Sequence, residues 1–356
     1  MSQREIPCLL MRGGSSRGPV FLRDDLPAGR DELARALAAA VGAGHPLTID
    51  GLGGGAPVTT KVVMLSRSER ADADIDYFFA QVQPASALVD FAPTCGNMLA
   101  AVGPAAVETG LVAAADGETR LRILAVNTGA LVESVVQTPG GRVEYAGAAT
   151  VDGVPGTAAP VRLDFMNVVG SGTGVLFPTG ARRDVVGGVE ATCIDVAVPM
   201  VLARAGEFGL TGYESPAEID ADAELRARME RVRIEAGERM GLGDVSSSVV
   251  PKFGLLSEAR GGGLFCARYF TPWDCHPAMA VTGAICMTSC VLCPGTVADG
   301  LADVADGGTV AVGVEHPQGL LEVVAEYGGG EGFELLRAGI VRTARLIMRG
   351  HVALPF

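Results

Sequence analysis

The stretch that decides the fold is Pro93-Thr94-Cys95-Gly96-Asn97-Met98-Leu99-Ala100-Ala101-Val102-Gly103. It returns 180 residues later as Trp273-Asp274-Cys275-His276-Pro277-Ala278-Met279-Ala280-Val281-Thr282-Gly283, with the cysteine, one alanine and the last glycine at matching positions. This offset is about half of the 356 residues. In both copies a strand-like run leads through a proline-containing turn to the cysteine, and a small-residue helix follows. The sequence therefore predicts two halves of similar structure.

The elements around each cysteine suit the binding of an anion. Strands are predicted at residues 77–82 and 264–270, and helices at residues 98–108 and 278–292. A turn that enters a helix in this way directs backbone N–H groups at the space above the helix, and the same positive end favours a thiolate. Each cysteine turn is thus a candidate site for a carboxylate ligand.

Lysine is rare in this chain, and its rarity makes the lysines candidates for acid–base chemistry. Of the 28 basic residues only Lys61 and Lys252 are lysines, and each begins a short strand-like run. A desolvated amine can lose its proton near neutral pH, whereas a guanidinium stays charged. The pattern indicates a base role for at least one lysine, and the alternative is that both are ordinary cations.

Two glycine-rich segments precede these features. In Arg12-Gly13-Gly14-Ser15-Ser16-Arg17-Gly18, two cations and two hydroxyls follow a predicted strand at residues 8–11. Glycine admits close backbone approach, and arginine offers a bidentate fork to a carboxylate, so this segment is predicted to cradle an anion. A surface hairpin turn is the equally weighted alternative. The segment Asp50-Gly51-Leu52-Gly53-Gly54-Gly55 leads to Lys61, but lacks the spacing of phosphate- and dinucleotide-binding loops.

The composition is that of a soluble globular protein. Hydrophobic residues make up 48% of the chain and charged residues 19%. The net charge of -13 argues against a nucleic-acid or anionic-membrane partner, because both require a basic face. No apolar run reaches the roughly 18 residues of a membrane span, and the start of the chain does not resemble a secretion signal. We therefore expect a cytoplasmic protein.

The eight cysteines are predicted to be thiols, because no secretion signal accompanies them. Cys286, Cys290 and Cys293 recur at helical spacing, which favours packing on one apolar helix face over a zinc site with Cys275 and His276. No metal site is therefore predicted.

The fold class predicted from these patterns is α+β, with mixed or antiparallel sheets. Helices are predicted at Arg30–Val41 and at residues 221–240, and Val- and Thr-rich runs elsewhere are typical of strands. We place the boundary between the lobes soon after the Gly-, Pro- and Ala-rich region at residues 146–160. The predicted lobes are residues 1–165 and 166–356, and the end of the chain is free to return to the first lobe.

Taken in order, these motifs resemble the PrpF-like branch of the diaminopimelate epimerase fold over nearly the whole chain. Later segments look most like those of 4-oxalomesaconate tautomerases and isomerases of gallate and protocatechuate breakdown: Pro294-Gly295-Thr296-Val297-Ala298, Glu315-His316-Pro317-Gln318-Gly319 and residues 342–350. The resemblance implies two pseudo-symmetric lobes, each a sheet rolled around a central helix, with the active site between the two helix N-termini. It also implies proton transfer without metal, pyridoxal phosphate or any other cofactor.

The resemblance further implies roles for individual residues. Lys61 matches the family's base, and Cys95 matches the thiol on the opposite side of the substrate. The segment Ser15-Ser16-Arg17-Gly18 replaces the family's more usual Thr-Ser-Lys-Gly, and Cys275 in the second half leaves open a mechanism with two thiols. The predicted substrate-binding residues are Arg12, Gly13, Ser15, Ser16, Gly54, Gly96, Asn97, Met98, His276, Thr282 and Gly283.

We therefore predict a cofactor-independent isomerase that moves a proton on an unsaturated keto polycarboxylate such as 4-oxalomesaconate. The open alternatives are an isomerase of 2-methylaconitate or aconitate, an epimerase with two thiols, and a polycarboxylate-binding protein without catalytic activity. A small polycarboxylate is the expected partner. A homodimer is an open alternative, because the sequence does not fix the oligomeric state.

Overall fold

The computed structural model describes residues 3–166, 168–271, 273–329 and 332–355. The chain divides into two compact units, one formed by Met1–Asp164 with Val341–Phe356 and the other by Phe165–Ile340. Each unit contains both strands and helices, which confirms the α+β class. Within the described residues, the helices are all too short or too polar to cross a membrane.

The first unit is a sheet with one helix against each of its faces. Its strands lie in the order β1-β2-β3-β4-β6-β7-β8, β5 pairs with β4, and β16 neighbours both β8 and β1. Helix α2 contacts strands β1, β2, β3, β4, β6 and β7, so the sheet rolls around it. The elements are β1 (Arg4–Gly13), β2 (Ser16–Leu22), α1 (Arg30–Val41), β3 (Lys61–Arg67), β4 (Ile75–Val82), β5 (Val89–Asp90), α2 (Gly96–Glu108), β6 (Gly117–Ala125), β7 (Ala130–Thr138), β8 (Pro160–Phe165) and the second part of β16 (Glu334–Leu354).

The two helices define an inner and an outer face of this sheet. Helix α2 is apolar on all sides and buried from Met98 to Ala106, as expected of a central helix. Helix α1 has the predicted bounds, ends at Gly42 in the left-handed conformation, and packs on Val62 and Met64 of β3. We call the side that carries α2 the inner face and the side that carries α1 the outer face.

The second unit has strands in the order β9-β10-β11-β12-β13-β14-β15-β16. Helix α5 contacts β10, β11, β12, β14 and β15, and is buried from Gly283 to Leu292. The elements are β9 (Asp184–Val186), β10 (Val189–Val196), β11 (Val198–Arg204), α3 (Pro216–Ala221), α4 (Ala223–Arg239), β12 (Lys252–Glu258), β13 (Phe265–Phe270), α5 (Val281–Leu292), β14 (Gly308–His316), β15 (Gly319–Gly328) and the first part of β16.

The predicted helix at residues 221–240 corresponds to α4, which begins two residues later than predicted, and the short helix α3, which was not predicted, precedes it. Asp222 has an extended backbone, with φ -88° and ψ 94°, and its side chain accepts a hydrogen bond from the backbone N–H of Leu225. An aspartate that caps the next helix in this way interrupts the preceding one. Helix α3 therefore ends at Ala221, and α4 begins at Ala223.

The three cysteines at helical spacing lie in the core, as their apolar helix predicts. Cys286 and Cys290 are on α5, Cys293 follows its end, and all three are buried. Burial raises the pKa of Cys290 to about 12 and that of Cys293 to about 11, so both remain thiols at neutral pH.

Glu315 on β14 fixes the loop that precedes β13. Its carboxylate accepts hydrogen bonds from the hydroxyl of Tyr213 and from the backbone N–H groups of Arg260, at 3.0 Å, and Gly263, at 2.8 Å. Burial disfavours the ionised form of Glu315, but these hydrogen bonds together outweigh it and hold the pKa at about 2.

Candidate active site

Lys61 begins β3 and belongs to the inner face of the first unit. Its neighbour Val62 packs against α1 on the outer face, and successive side chains of a strand alternate between faces. The antiparallel pairing with β4 places Lys61 directly opposite Gln81. Phe79 and Tyr77 are two and four residues before Gln81 on β4, so they also belong to the inner face.

The side-chain nitrogen of Lys61 contacts neutral groups. Its Nζ donates to Oε1 of Gln81 at 2.8 Å and lies 5.4 Å from the ring centroid of Phe79. Gln81 Nε2 donates to the carbonyl of Pro57 and to Oγ1 of Thr60, which orients the amide oxygen toward the amine. Among the described residues no carboxylate forms an ion pair with Lys61. The side-chain contacts of the Lys61 amine are thus an amide oxygen and an aromatic ring.

Cys95 is the N-cap residue of α2. It is half-buried, and its carbonyl accepts hydrogen bonds from the hydroxyl of Tyr77 at 3.1 Å and from the backbone N–H of Leu99 at 3.0 Å. Helix α2 has neither a side-chain cap nor an acidic residue in its first turn. The N–H groups of Gly96, Asn97 and Met98 are therefore available to an anion.

A line of contacts joins the lysine to the cysteine along the inner face. Lys61 lies over the ring of Phe79, the Phe79 and Tyr77 ring centroids are 6.3 Å apart, and Tyr77 holds the backbone of Cys95. Tyr77 is fully buried, and burial raises its pKa well above the ordinary value, so the phenol stays protonated and acts as the donor. The structure thus brings Lys61 and Cys95 to the same side of the sheet.

The Gly-rich segment after β1 is a hairpin turn that packs on the start of α2. A side chain at Gly13 would bring its Cβ within 2.4 Å of the carbonyl oxygen of Asn97, so this approach requires glycine. Asn97 Nδ2 donates to Oγ of Ser15 at 3.1 Å. Ser15 is exposed beside the helix terminus, whereas Ser16 is buried. The segment is therefore a hairpin turn that sets Ser15 beside the start of α2, and its role as an anion cradle stays a prediction.

Two predicted binding residues lie away from this group. By alternation Arg12 belongs to the outer face, together with Cys8, and its Nη1 donates to the carbonyls of Gly14 and Thr343 and to Oγ1 of Thr343. Gly54 is exposed, and a Cβ there would be 2.6 Å from Nη2 of Arg17, which is also on the outer face. The structure does not bring Arg12 or Gly54 together with Lys61, and their substrate-binding roles stay predictions.

In the second unit Cys275 differs from Cys95. It is 4% exposed and packs with Phe253 and Phe270 in the core beneath α3 and α4. Its backbone N–H donates to Asp220 of α3 at 2.8 Å. Burial, and then the charge of Asp220, raise the pKa of Cys275 to about 12. Burial and the raised pKa disfavour the thiolate, which argues against a role for Cys275 as a base, and its role as a second acid stays a prediction.

The other predicted residues of the second unit surround the start of α5. The Nδ1 atom of His276 accepts a hydrogen bond from the backbone N–H of Ala278 at 2.9 Å, and burial lowers the pKa of His276. A Cβ at Gly283 would lie 2.4 Å from the ring of Tyr269, so glycine permits the close packing of α5 on β13. Thr282 is half-buried in the first turn of α5. The predicted helix at 278–292 thus begins three residues later than expected.

Gln81, Phe79 and Tyr77 are the inner-face residues that the sequence does not single out. The available signal is strand pairing, because a strand that begins at Lys61 and a neighbouring strand that ends at residue 82 set residue 81 near the lysine if they form a hairpin. The contact between Lys61 and Gln81 itself follows only from the register of β3 and β4.

Comparison with known proteins places the chain among isomerases. The model of the PrpF protein family matches residues 3–355. The 4-oxalomesaconate tautomerase of Pseudomonas putida is 47% identical, over 99% of this chain and 97% of its own length. The (4E)-oxalomesaconate Delta-isomerase of Novosphingobium sp. strain KA1 is 44% identical, over 97% of this chain and 96% of its own. A crystal structure of methylitaconate-delta-isomerase superposes with a TM-score of 0.86 at 31% identity, covering 99% of this chain and 96% of that chain.

Proposed function

Because the chain belongs to the PrpF protein family and is an isomerase of that family, we propose that it moves a proton between two carbons of an unsaturated keto polycarboxylate. The proposed substrate is 4-oxalomesaconate, on which two of its relatives act by name. In this proposal Lys61 is the base and Cys95 is the acid. Identities of 47% and 44% over nearly full length support the choice of substrate.

The proposed reaction has two proton transfers. The neutral amine of Lys61 takes a proton from a carbon next to the carbonyl or double bond of the substrate, which leaves a dienolate and an ammonium ion. The Cys95 thiol then delivers a proton to the carbon two positions away and becomes a thiolate. Exchange of one proton with solvent converts the ammonium and thiolate back to amine and thiol. Substrate and product therefore differ only in the position of one hydrogen and one double bond.

The first turn of α2 stabilises the charge that develops in this scheme. The dienolate and the substrate carboxylates are negative, and fixed hydrogen-bond donors aimed at a developing charge make a large contribution to catalysis. The uncapped N–H groups at residues 96–98 supply such donors, and Ser15 lies beside them through its hydrogen bond with Asn97. We assign one substrate carboxylate to this turn. The predicted contacts of His276, Thr282 and Gly283 with substrate stay proposals.

The observation that carries the proposal is the placement of Lys61. Its amine is half-buried on the inner face, contacts an amide and an aromatic ring, and connects through Phe79 and Tyr77 to the N-cap cysteine. An ordinary surface lysine would extend into water or pair with one of the many carboxylates of this acidic chain. The placement therefore supports a base role for Lys61 in particular.

The chain offers a matched control for the experiment, since Lys252 also begins a strand, with the same sequence of buried and half-buried positions. Lys61→Met is expected to lower turnover of 4-oxalomesaconate at least about 100-fold, because a general base contributes about 10²–10⁴-fold. Lys252→Met is expected to keep most of the activity. Conversion is followed by absorbance, and exchange of the substrate C–H by NMR in deuterated buffer. Near-normal turnover in Lys61→Met, with the fold intact by circular dichroism, would contradict the assignment.

The two cysteines test the alternative of an epimerase with two thiols. Cys95→Ser is expected to lower turnover about 100-fold or more, because a hydroxyl is a far weaker acid than a thiol. Cys275→Ser is expected to lower stability but to retain turnover, because that thiol packs in the core. Large losses of turnover in both variants would favour the two-thiol mechanism. A protein that binds 4-oxalomesaconate without catalysing deuterium exchange would be a carrier or sensor instead.

A further inference from the structure

Three arginines lie side by side on the outer face of the first unit. The pairing of β1 with β2 sets Arg12 opposite Arg17, and the pairing of β1 with β16 sets Arg12 opposite Arg345. Directly opposite residues of antiparallel strands point to the same face, with Cβ atoms about 5 Å apart. The three positive charges therefore form one row across β2, β1 and β16, which we call the arginine row.

No carboxylate of the described part of the chain forms an ion pair with the arginine row. Two acidic residues of the same unit have other partners: Glu108 pairs with Arg349, and Asp152 interacts with Arg342. Like charges directly opposite one another on a sheet are destabilising. In a chain with a net charge of -13, three cations at directly opposite positions of neighbouring strands, without an ion pair, indicate a requirement for positive charge at this place.

Arg12 is fixed in position at the centre of the row. Its Nη1 donates to Gly14 O at 2.9 Å, to Thr343 O at 3.0 Å and to Thr343 Oγ1 at 3.0 Å. Within the described residues, its Nε and Nη2 have no hydrogen-bond acceptor. Burial, and then the charge of Arg345, lower the pKa of Arg12, but a guanidinium stays charged at neutral pH. The remaining donors of Arg12 are thus held ready for an acceptor from outside the chain.

Arg12 and Arg345 line a pocket of about 520 Å³ in the first unit. Its volume lies within the range of about 300–1,000 Å³ that small-molecule sites occupy. Tyr145, Thr157 and Ile347 contribute to the wall, so the pocket combines cationic, hydroxyl and apolar surface. On the other side of Arg12, the Nε of Arg17 is buried without a hydrogen-bond partner.

We propose that Arg12 and Arg345 bind a small multivalent oxyanion, of the polycarboxylate or phosphate class, in this pocket. The site lies on the outer face of the sheet, whereas Lys61 lies on the inner face, so it is separate from the proposed catalytic group. Arg17 adds to the positive field without lining the pocket. A bound anion neutralises the row and stabilises the folded chain in proportion to the logarithm of its concentration.

Thermal unfolding of the full chain tests this site. Citrate and inorganic phosphate are titrated against sodium chloride at matched ionic strength, with wild type and Arg345→Gln. Arg349→Gln is the matched control, because Arg349 is an exposed arginine of the same strand whose charge is paired with Glu108. We expect one or both anions to raise the melting temperature of wild type and of Arg349→Gln beyond the effect of chloride. In Arg345→Gln the half-saturating concentration is expected to rise at least about tenfold, because a charged hydrogen-bonding partner is lost.

The anion series identifies the ligand class and can overturn the proposal. A response to citrate alone assigns the site to polycarboxylates, and a response to both anions assigns it to oxyanions in general. The absence of a response in wild type, or an equal response in Arg345→Gln, overturns the site. Lys61→Met is expected to keep the anion response, and turnover of every variant is measured without added anion. Failure of the catalytic assignment and failure of the anion site are therefore seen in separate measurements.

Discussion

Replacing Gln81 by Glu tests whether the amine of Lys61 must be uncharged for the reaction. In the wild type the Nζ of Lys61 contacts a neutral amide oxygen at 2.8 Å. Gln81→Glu puts a carboxylate oxygen in nearly the same place at almost no change in volume. The ammonium form of Lys61 would then be stabilised, so we expect the amine to lose its proton only at higher pH.

The size of the effect follows from the distance. Two unit charges separated by the 2.8 Å of this contact attract each other by about 6 kcal/mol at an effective dielectric constant of about 20. Because the site is half-buried, water screens much of this energy, and about 1.5–3 kcal/mol remains, which is the usual net value of a hydrogen bond to a charged group. At about 1.4 kcal/mol for each pH unit, the acid limb of the pH–rate profile should move up by about one to two units. Turnover at pH 7 should then fall about 10- to 100-fold and recover as the pH rises.

The assay is the initial rate of isomerisation of 4-oxalomesaconate between pH 5 and 10, with Gln81→Met as the control. Methionine removes the acceptor and the donors of the amide without adding a charge, so it should lower turnover and leave the acid limb in place. An acid limb of Gln81→Glu that coincides with that of the wild type would refute the reasoning, because it would show that the titrating group is not the amine beside residue 81.

The remaining predictions concern stability. Tyr77→Phe removes a buried hydroxyl that donates to the carbonyl of Cys95, and it should lower the free energy of unfolding by about 1 kcal/mol in urea titrations; an unchanged value would show that this bond contributes little. Glu315 has a folded-state pKa of about 2 against an ordinary 4.5, so its contribution to stability is present above about pH 4.5 and is lost as the pH falls toward 2. The melting temperature of Glu315→Gln should therefore depend less on pH in this range, and parallel curves for both proteins would contradict this.

The elements with a strong local signal could be predicted from the sequence. Arg30–Val41 has acidic residues in its first turn and Gly42 after its end, and α1 has these bounds in the structure. The predicted helix at residues 221–240 is α4, but the short helix α3 and the boundary between the two helices at Asp222 were not predicted from the sequence. There the side chain of one aspartate competes with the backbone, and the outcome depends on how α3 and α4 pack on the sheet.

The candidate site was only partly predictable for a related reason. The rarity of lysine and the repeated cysteine turn make Lys61 and Cys95 candidates, and the family resemblance implies their roles. The contact between Lys61 and Gln81 depends on the register of β3 and β4, which is set by the length of their connection and by the burial of the opposite face. For Arg12 the residue type alone is misleading. An arginine suits a carboxylate, but the alternation of side chains along β1 places Arg12 on the outer face, away from Lys61.

The two cysteine turns show how one sequence motif can have two chemical outcomes. After Cys95 the chain enters α2 at the next residue, so the thiol is at the helix terminus and half-buried. After Cys275 five residues intervene before α5. An isolated β-bridge pairs Cys275 with Phe270, so Cys275 lies against strand β13. There it fills core volume beneath α3 and α4 and stays protonated, with a pKa of about 12. The cysteine turns 180 residues apart thus belong to similar strand–turn–helix elements, while the start of the helix decides which thiol lies half-buried at a helix terminus, as the proposed proton transfer requires.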